Sequence, residues 1–173
     1  MRRSIARLLT VASFLTATLI GCGASLPENA RVRRVIDGDT IELMDGRLVR
    51  YLGVDAPEVR RRARPGDREW RAGDGDAWVL DPEPFGQAAT DANAQLVSGT
   101  HVRFEYDAQT HDRFGRLLAY VYVGEMMVNA ELLKMGMVQP LTIPPNVKYA
   151  ERFRALGEEA RQARRGLWAA GDD

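Results

Sequence analysis

Residues 31–58 carry the pattern that decides the fold, and they read RVRRVIDGDTIELMDGRLVRYLGVDAPE. Polar and apolar side chains alternate over 31–36, 40–44 and 48–54, which is typical of strands with one face in water. Asp37-Gly38 and Asp45-Gly46 separate the three segments. Because Asp-Gly pairs favour tight turns between strands, we predict three short strands at the start of the folded domain.

The remainder of the chain adds two strands and three helices to this beginning. Strands are predicted over 101–106 and 117–123, and helices over 85–97, 130–135 and 147–165, with Asn129 as the N-cap of the second helix. Strands with helices inserted and appended indicate an α+β fold. A chain of 173 residues has room for one domain of ordinary size. The segment 59–84 is predicted to be a long irregular loop, since charged residues and two tryptophans interrupt any periodicity there.

Composition excludes several classes of protein. Hydrophobic residues make up 45% of the chain and charged residues 28%, so a packed core is expected. One cysteine excludes a disulfide scaffold and a multi-cysteine metal site, and two histidines argue against a histidine-rich metal centre. The commonest glycine-rich nucleotide-binding motifs do not occur in the sequence.

The amino terminus has the pattern of an export signal. Three arginines precede an apolar run over 8–20, and the run ends at Leu19-Ile20-Gly21-Cys22. That ending resembles a bacterial lipobox, so we expect 1–21 to be a signal peptide, Cys22 to be lipid-modified and 22–29 to be a tether. The expected location is the bacterial cell envelope, anchored to a membrane through Cys22; an ordinary cleaved signal, giving a secreted protein, is the alternative.

Loss of the leader would make the mature chain mildly acidic. The full chain has 24 basic and 24 acidic residues, and removing three arginines leaves 21 basic against 24 acidic. A nucleic-acid-binding protein with this balance cannot depend on an overall basic surface. It needs a local basic patch, a metal ion, or both.

Two acidic turns and two arginines suggest chemistry on phosphate. Asp39 begins one predicted strand and Asp55 ends its hairpin partner, so both lie toward one end of the hairpin. Carboxylates, a carbonyl and waters form a hard oxygen site that suits Ca²⁺ or Mg²⁺. Glu58 could position or deprotonate a water, and Arg50 and Arg116 match phosphate oxygens. Together these groups are suited to hydrolysis of a phosphodiester.

The strand pattern raises one geometric difficulty. Arg50 and Asp55 are separated by an odd number of residues, so an ideal strand would point their side chains to opposite faces. They can converge only if the strand is distorted or ends before Asp55. Gly53 makes such a distortion inexpensive.

Three motifs in order identify a resemblance to a known family. They are VIDGDTI at 35–41, VRYLGVDAPE at 49–58 and DRFGRLLAYV at 112–121, supported by VNAELL at 128–133 and GLW at 166–168. In this order they resemble the staphylococcal nuclease (thermonuclease) family. The resemblance implies a five-stranded OB-fold β-barrel with three helices over 30–169, followed by a tail at 170–173. It also implies Ca²⁺-dependent hydrolysis of DNA and RNA, with little sequence or sugar specificity, to 3′-phosphate products.

The resemblance also assigns roles by position. Asp39, Asp55 and the carbonyl of Ala56 would be Ca²⁺ ligands, with Asp37 nearby. Glu58 matches the residue usually assigned as general base, and Arg50 and Arg116 match the phosphate-binding arginines. The further substrate contacts expected from the 59–84 loop and the third motif are Arg60, Arg61, Arg62, Trp70 and Phe114. The loop could equally be a solvated insertion.

A function of another class is also compatible with the pattern. A noncatalytic OB-fold module could hold nucleic acid or a protein at the envelope. The full set of acidic and arginine positions argues against it, since binding alone needs no such carboxylates. We expect a monomer that acts without an obligate protein partner.

Overall fold

The computed structural model describes residues 25–62, 78–80 and 84–169. Its strands, in chain order, are β1 (Asn29–Asp37), β2 (Thr40–Leu43), β3 (Leu48–Tyr51), β4 (Val54–Asp55), β5 (Arg60–Arg62), β6 (Trp78–Leu80), β7 (His101–Glu105), β8 (Leu117–Val123), β9 (Met126–Met127) and β10 (Gln139–Pro140). Its helices are α1 (Gly86–Val97), α2 (Val128–Lys134), α3 (Ala150–Gln162) and a 3₁₀ turn (Gly166–Trp168).

Five of the strands close into a barrel. β1 pairs antiparallel with β2 and β7, β2 pairs with β3, and β7 pairs with β8. The ring is closed by a parallel pairing of β3 with β8, in which Val49 lies opposite Leu117 and Tyr51 opposite Ala119. The barrel and the three α-helices of the described residues confirm the prediction of an SNase-like OB-fold of the α+β class.

The barrel interior is filled by the apolar half of each alternating strand. Val32, Ile41, Val49, Tyr51 and Val121 are all at most 2% exposed. Side chains alternate between the two faces of a strand, so burial of these residues sends their neighbours to the outer surface.

The helices lie where periodicity predicts them, with two differences in their bounds. α2 begins at Val128, so the prediction of Asn129 as N-cap is wrong. Asn129 is fully buried, accepts a hydrogen bond from the Val121 amide and donates to the Leu52 carbonyl, thereby joining two parts of the barrel. α3 runs over Ala150–Gln162 and is therefore shorter at both ends than the predicted helix over 147–165.

The segment predicted as an irregular loop contains a short ladder. β5 and β6 pair antiparallel, with Arg61 opposite Val79. The predicted signal peptide over 1–21, Cys22, Trp70 and the tail at 170–173 lie outside the described residues. Among the helices that the structure describes, none has the length and apolar character needed to cross a bilayer.

Candidate active site

The turn between β1 and β2 places Asp39 inside the protein. Its carboxylate is completely buried; Oδ1 accepts from the Thr40 hydroxyl at 3.0 Å and Oδ2 from the Ala56 amide at 2.8 Å. Gly38 makes this approach possible. A Cβ on Gly38 would lie only 2.6 Å from the Ala56 Cβ and 2.7 Å from that of Ala89.

The turn between β3 and β4 resolves the difficulty of Arg50 and Asp55. Gly53 has φ of 77°, a left-handed conformation that glycine adopts without steric cost. The chain turns there, and β3 ends before Asp55. As a result the Arg50 guanidinium donates to the Asp55 Oδ1 at 2.5 Å.

Arg50 joins the two aspartates that were expected to share an ion. One terminal nitrogen donates to the Asp39 Oδ1 at 2.5 Å, and the other donates to Asp55. Burial raises the pKa of the Asp39 carboxyl well above its usual range; Arg50 opposes this shift, and the negative charge of Asp37 adds to it. Burial thus disfavours the charged form of Asp39, and the Arg50 guanidinium is the positive group that favours it.

The donor set fits a hard divalent cation in its chemistry. The Asp39 and Asp55 carboxylates and the Ala56 backbone lie together, and Asp37 is linked to Asp39 by a hydrogen bond from the Asp39 amide at 3.1 Å. Over 25–62, 78–80 and 84–169 no group of three or more His, Cys, Asp or Glu side chains forms a metal cage. Carbonyl and water oxygens would therefore have to complete the coordination, as is usual for Ca²⁺.

Closure of the barrel brings the second arginine to the first. Arg116 directly precedes β8, and Arg50 lies opposite Leu118 in the parallel pairing of β3 with β8. The two guanidiniums therefore come from neighbouring strands. Both remain partly accessible, with 17% of the Arg50 side chain and 28% of the Arg116 side chain exposed.

An aspartate not singled out by the sequence analysis holds Arg116 in place. Asp112 Oδ2 accepts from the Arg116 Nε at 2.7 Å, and its Oδ1 accepts from the amides of Phe114 and Arg116. Although burial raises the pKa of Asp112, these hydrogen bonds lower it below its usual value. The signal in the sequence was the Asp-x-x-Gly turn, because aspartates at such turns often accept from amides further along the chain.

A buried asparagine was also missed. Asn93 of α1 donates to the Asp37 carbonyl at 3.0 Å and accepts from the Tyr51 hydroxyl at 2.9 Å. It ties the helix to the turn that carries the aspartates. Its polar side chain within the apolar stripe of α1 was the only sequence signal.

Two grooves meet at the arginines. The first groove has a volume of about 570 Å³, and the residues that line it but not the second groove include Arg34, Ile36, Leu48 and Val59. The second groove has a volume of about 560 Å³, and the residues that line it but not the first groove include Gln109, Arg113, Leu141, Ile143 and Asn146. Four residues line both grooves: Arg50, Glu58, Phe114 and Arg116. A phosphate at this junction could contact both guanidiniums, with the exposed Glu58 carboxylate beside it.

Of the additional substrate contacts predicted from the sequence, the structure describes the side chain of Phe114 and the strand that contains Arg60, Arg61 and Arg62. Phe114 is 64% exposed at the junction of the grooves, with the Arg113 guanidinium carbon 4.7 Å from its ring centre. Arg60, Arg61 and Arg62 form β5, directly after the segment that carries Glu58. Their role in binding, and that of Trp70, stays a prediction.

The chain is similar to a known protein family and to several known proteins. Residues 48–170 match the family described as staphylococcal nuclease homologue. The chain is 35% identical to the Thermonuclease of Staphylococcus hyicus over 142 residues. This alignment covers 80% of this chain and 75% of the relative. The chain is 35% identical over 144 residues to the Thermonuclease of Staphylococcus intermedius, covering 82% and 76%. It is also 34% identical over 146 residues to Endonuclease YncB of Bacillus subtilis, covering 82% and 62%.

Proposed function

This chain belongs to the staphylococcal nuclease family and is a nuclease, and we propose that it uses Ca²⁺ to hydrolyse phosphodiester bonds in both DNA and RNA. We propose further that it has little sequence or sugar specificity and leaves 3′-phosphate ends. The observation that carries the proposal is the convergence of Arg50, Arg116 and Glu58 at the junction of two grooves, next to the Asp39–Asp55 pair.

The arginines bind and orient the scissile phosphate. Planar guanidiniums match phosphate oxygens, and their charge is permanent. Asp112 holds Arg116 before substrate arrives, and Arg50 is positioned by Asp39 and Asp55, which it would share with the calcium ion. Preorganised donors stabilise the negative charge that grows on the phosphate oxygens without further rearrangement.

Glu58 receives the proton of the attacking water. Its exposed carboxylate lines both grooves together with Arg50 and Arg116, so it can take a proton from a water that attacks a phosphate bound by these arginines. As the water oxygen bonds to phosphorus, the bond to the 5′ oxygen breaks and that oxygen is protonated by solvent. The products are a 3′-phosphate and a 5′-hydroxyl.

Asp39, Asp55 and the Ala56 carbonyl would hold the calcium ion, with Asp37 adding negative charge nearby. When bound, Ca²⁺ supplies positive charge close to the phosphate oxygens and lowers the pKa of a coordinated water. The support for a cation there is the grouping of three aspartates, Asp37, Asp39 and Asp55, around the single Arg50 guanidinium.

Removal of calcium tests the metal assignment. We expect EGTA to stop cleavage of a supercoiled plasmid and of an RNA of similar length, because the aspartates then lack their cation. Added Ca²⁺ should restore both activities. New 5′ ends should accept label from polynucleotide kinase without phosphatase treatment, as 5′-hydroxyl ends do. Full activity in EGTA with Mg²⁺ would overturn the calcium assignment, and binding of DNA without cleavage would favour the noncatalytic module.

We also propose that the chain is exported and anchored to a membrane through a lipid on Cys22, and that it acts as a monomer. The apolar run over 8–20 followed by Gly21-Cys22 supports the anchor. In a bacterial host, the full chain should incorporate labelled palmitate, and Cys22→Ser should not. An exported but unlabelled parent chain would favour an ordinary cleaved signal.

A further inference from the structure

The outer face of β1, β2 and β3 continues the active site beyond Arg50. Register pairs Arg34 with Glu42 and Glu42 with Leu48, so these three residues form a row across the strands. Thr40 and Arg50 form the next row, two residues along. Since side chains two residues apart share a face, Arg34, Leu48 and Arg50 lie on one surface. That surface is the wall of the first groove.

An irregularity in β1 concentrates positive charge at the outer part of this wall. The register shifts between Val32 and Arg34, so that two residues of β1 oppose one residue of β2. Arg33 and Arg34 therefore both donate to the Glu42 carboxylate, at 2.8 Å and 2.5 Å. Two guanidiniums share one carboxylate, which leaves a net charge of +1. The two arginine side chains are each 58% exposed.

Apolar side chains lie between this charge and the catalytic arginines. Ile36, Leu48 and Val59 line the first groove, and Phe114 stands at its junction with the second groove. By strand geometry the α-carbons of Arg34 and Arg50 are about 12 Å apart. With two flexible side chains, that separation leaves room for Arg34 to contact a different phosphate of the strand from the one that Arg50 contacts.

A phosphodiester has a nucleoside on each side, and each of the two grooves leads away from the same pair of arginines. We propose that the first groove is a subsite for the nucleoside on one side of the scissile bond, with its sugar and base against Ile36 and Leu48. Arg34, supported by Arg33, binds the next phosphate along the strand. This subsite rests on the proposed nuclease function and extends it from one phosphate to a stretch of strand.

Charge and continuity identify the occupant as a nucleic-acid strand. The carboxylates on the groove, Asp37 and Glu58, lie on the same side as Arg50, whereas the outer part carries the Arg33–Arg34–Glu42 group with its net positive charge. An acidic protein segment would meet the same positive charge, but it has no phosphate for the junction of the grooves. Each ionic contact to a phosphate of a single strand adds about 0.7 to the slope of log affinity against log salt.

Short substrates with one added phosphate test the subsite. The three substrates are the thymidine dinucleotide TpT, pTpT with a 5′-terminal phosphate and TpTp with a 3′-terminal phosphate. In the parent protein we expect one of the two added phosphates to raise kcat/KM about 5-fold through Arg34, in keeping with a charged but exposed contact. Arg34→Gln should remove the gain from that end and retain the gain from the other end.

Arg31→Gln is the matched control, because Arg31 is an exposed arginine of the same strand that does not line the groove. In Arg31→Gln, the 5′-terminal and the 3′-terminal phosphate should each raise kcat/KM by the same factor as in the parent. Equal gains in Arg34→Gln and in the parent would overturn the subsite, as would equal losses in Arg31→Gln and Arg34→Gln. Failure of the parent to cleave any of the three substrates or longer DNA would instead overturn the proposed function.

A binding measurement separates charge recognition from damage to the fold. The affinity for oligothymidylate is measured at increasing salt concentrations with the Ca²⁺-loaded Glu58→Gln variant. The same measurement is made with Glu58→Gln combined with Arg34→Gln or with Arg31→Gln. Loss of Arg34 should reduce the salt slope by about 0.7, and loss of Arg31 should leave it unchanged. An unchanged slope in the Arg34 double variant, with a parental melting temperature, would overturn the phosphate contact.

Discussion

Replacing Glu58 with glutamine is expected to lower kcat for phosphodiester cleavage by about 10² to 10⁴. Among the described residues, Glu58 is the carboxylate that lines both grooves at the two arginines. Glutamine keeps the shape of the side chain but cannot accept the proton of the attacking water. Single-turnover cleavage of a labelled oligonucleotide at saturating Ca²⁺ measures this loss directly.

The control for Glu58→Gln is Glu125→Gln, which removes an exposed carboxylate from a turn remote from the grooves. The free energy of unfolding of each variant should lie within about 1 kcal/mol of that of the parent, since substitutions of exposed residues have small effects on stability. Near-parental activity of Glu58→Gln would remove Glu58 from the role of general base. Equal losses in both variants would point to an effect unrelated to the site.

Replacing Arg116 with alanine is expected to lower kcat by about 10² to 10³, the usual cost of losing a preorganised donor to a developing oxyanion. Arg116→Lys keeps the charge but loses the planar fork, so it should recover only part of the activity. Cleavage rates for the parent and both variants under saturating substrate give the comparison. Parental activity in the alanine variant would exclude Arg116 from stabilising the transition state.

The hydrogen bond between Arg116 and Asp112 allows a further test of how Arg116 is positioned. Asp112→Ala should lower kcat/KM by about 10-fold in the parent, because it frees Arg116 from its fixed position. It should have no further effect in Arg116→Ala, since residues that act through one another are not additive. Asp45→Ala is the matched control: Asp45 holds Arg47 through a similar pair of bonds in a turn away from the grooves. Additive losses would show that Asp112 acts on the fold rather than on Arg116.

Much of the candidate site could be predicted because its signals are local. Asp37-Gly38 and Asp45-Gly46 mark turns, and alternation marks which residues of each strand are buried. The strand over 117–123 was predicted with the bounds that the structure has. Local pattern failed for Asn129, whose amide bonds to Val121 and Leu52 on distant segments rather than capping its own helix.

The sequence by itself determined the five strands of the barrel, their inward faces, the family and the residue types that chemistry on phosphate requires. These properties depend on side-chain period and turn geometry, which act over a few residues. Only the tertiary structure decided that Arg116 comes to Arg50, because the parallel pairing of β3 with β8 joins segments far apart in the chain. It also placed Arg50 between Asp39 and Asp55 and gathered Arg33 and Arg34 on Glu42. Those contacts follow from strand register and from packing of the whole barrel, which no local pattern contains.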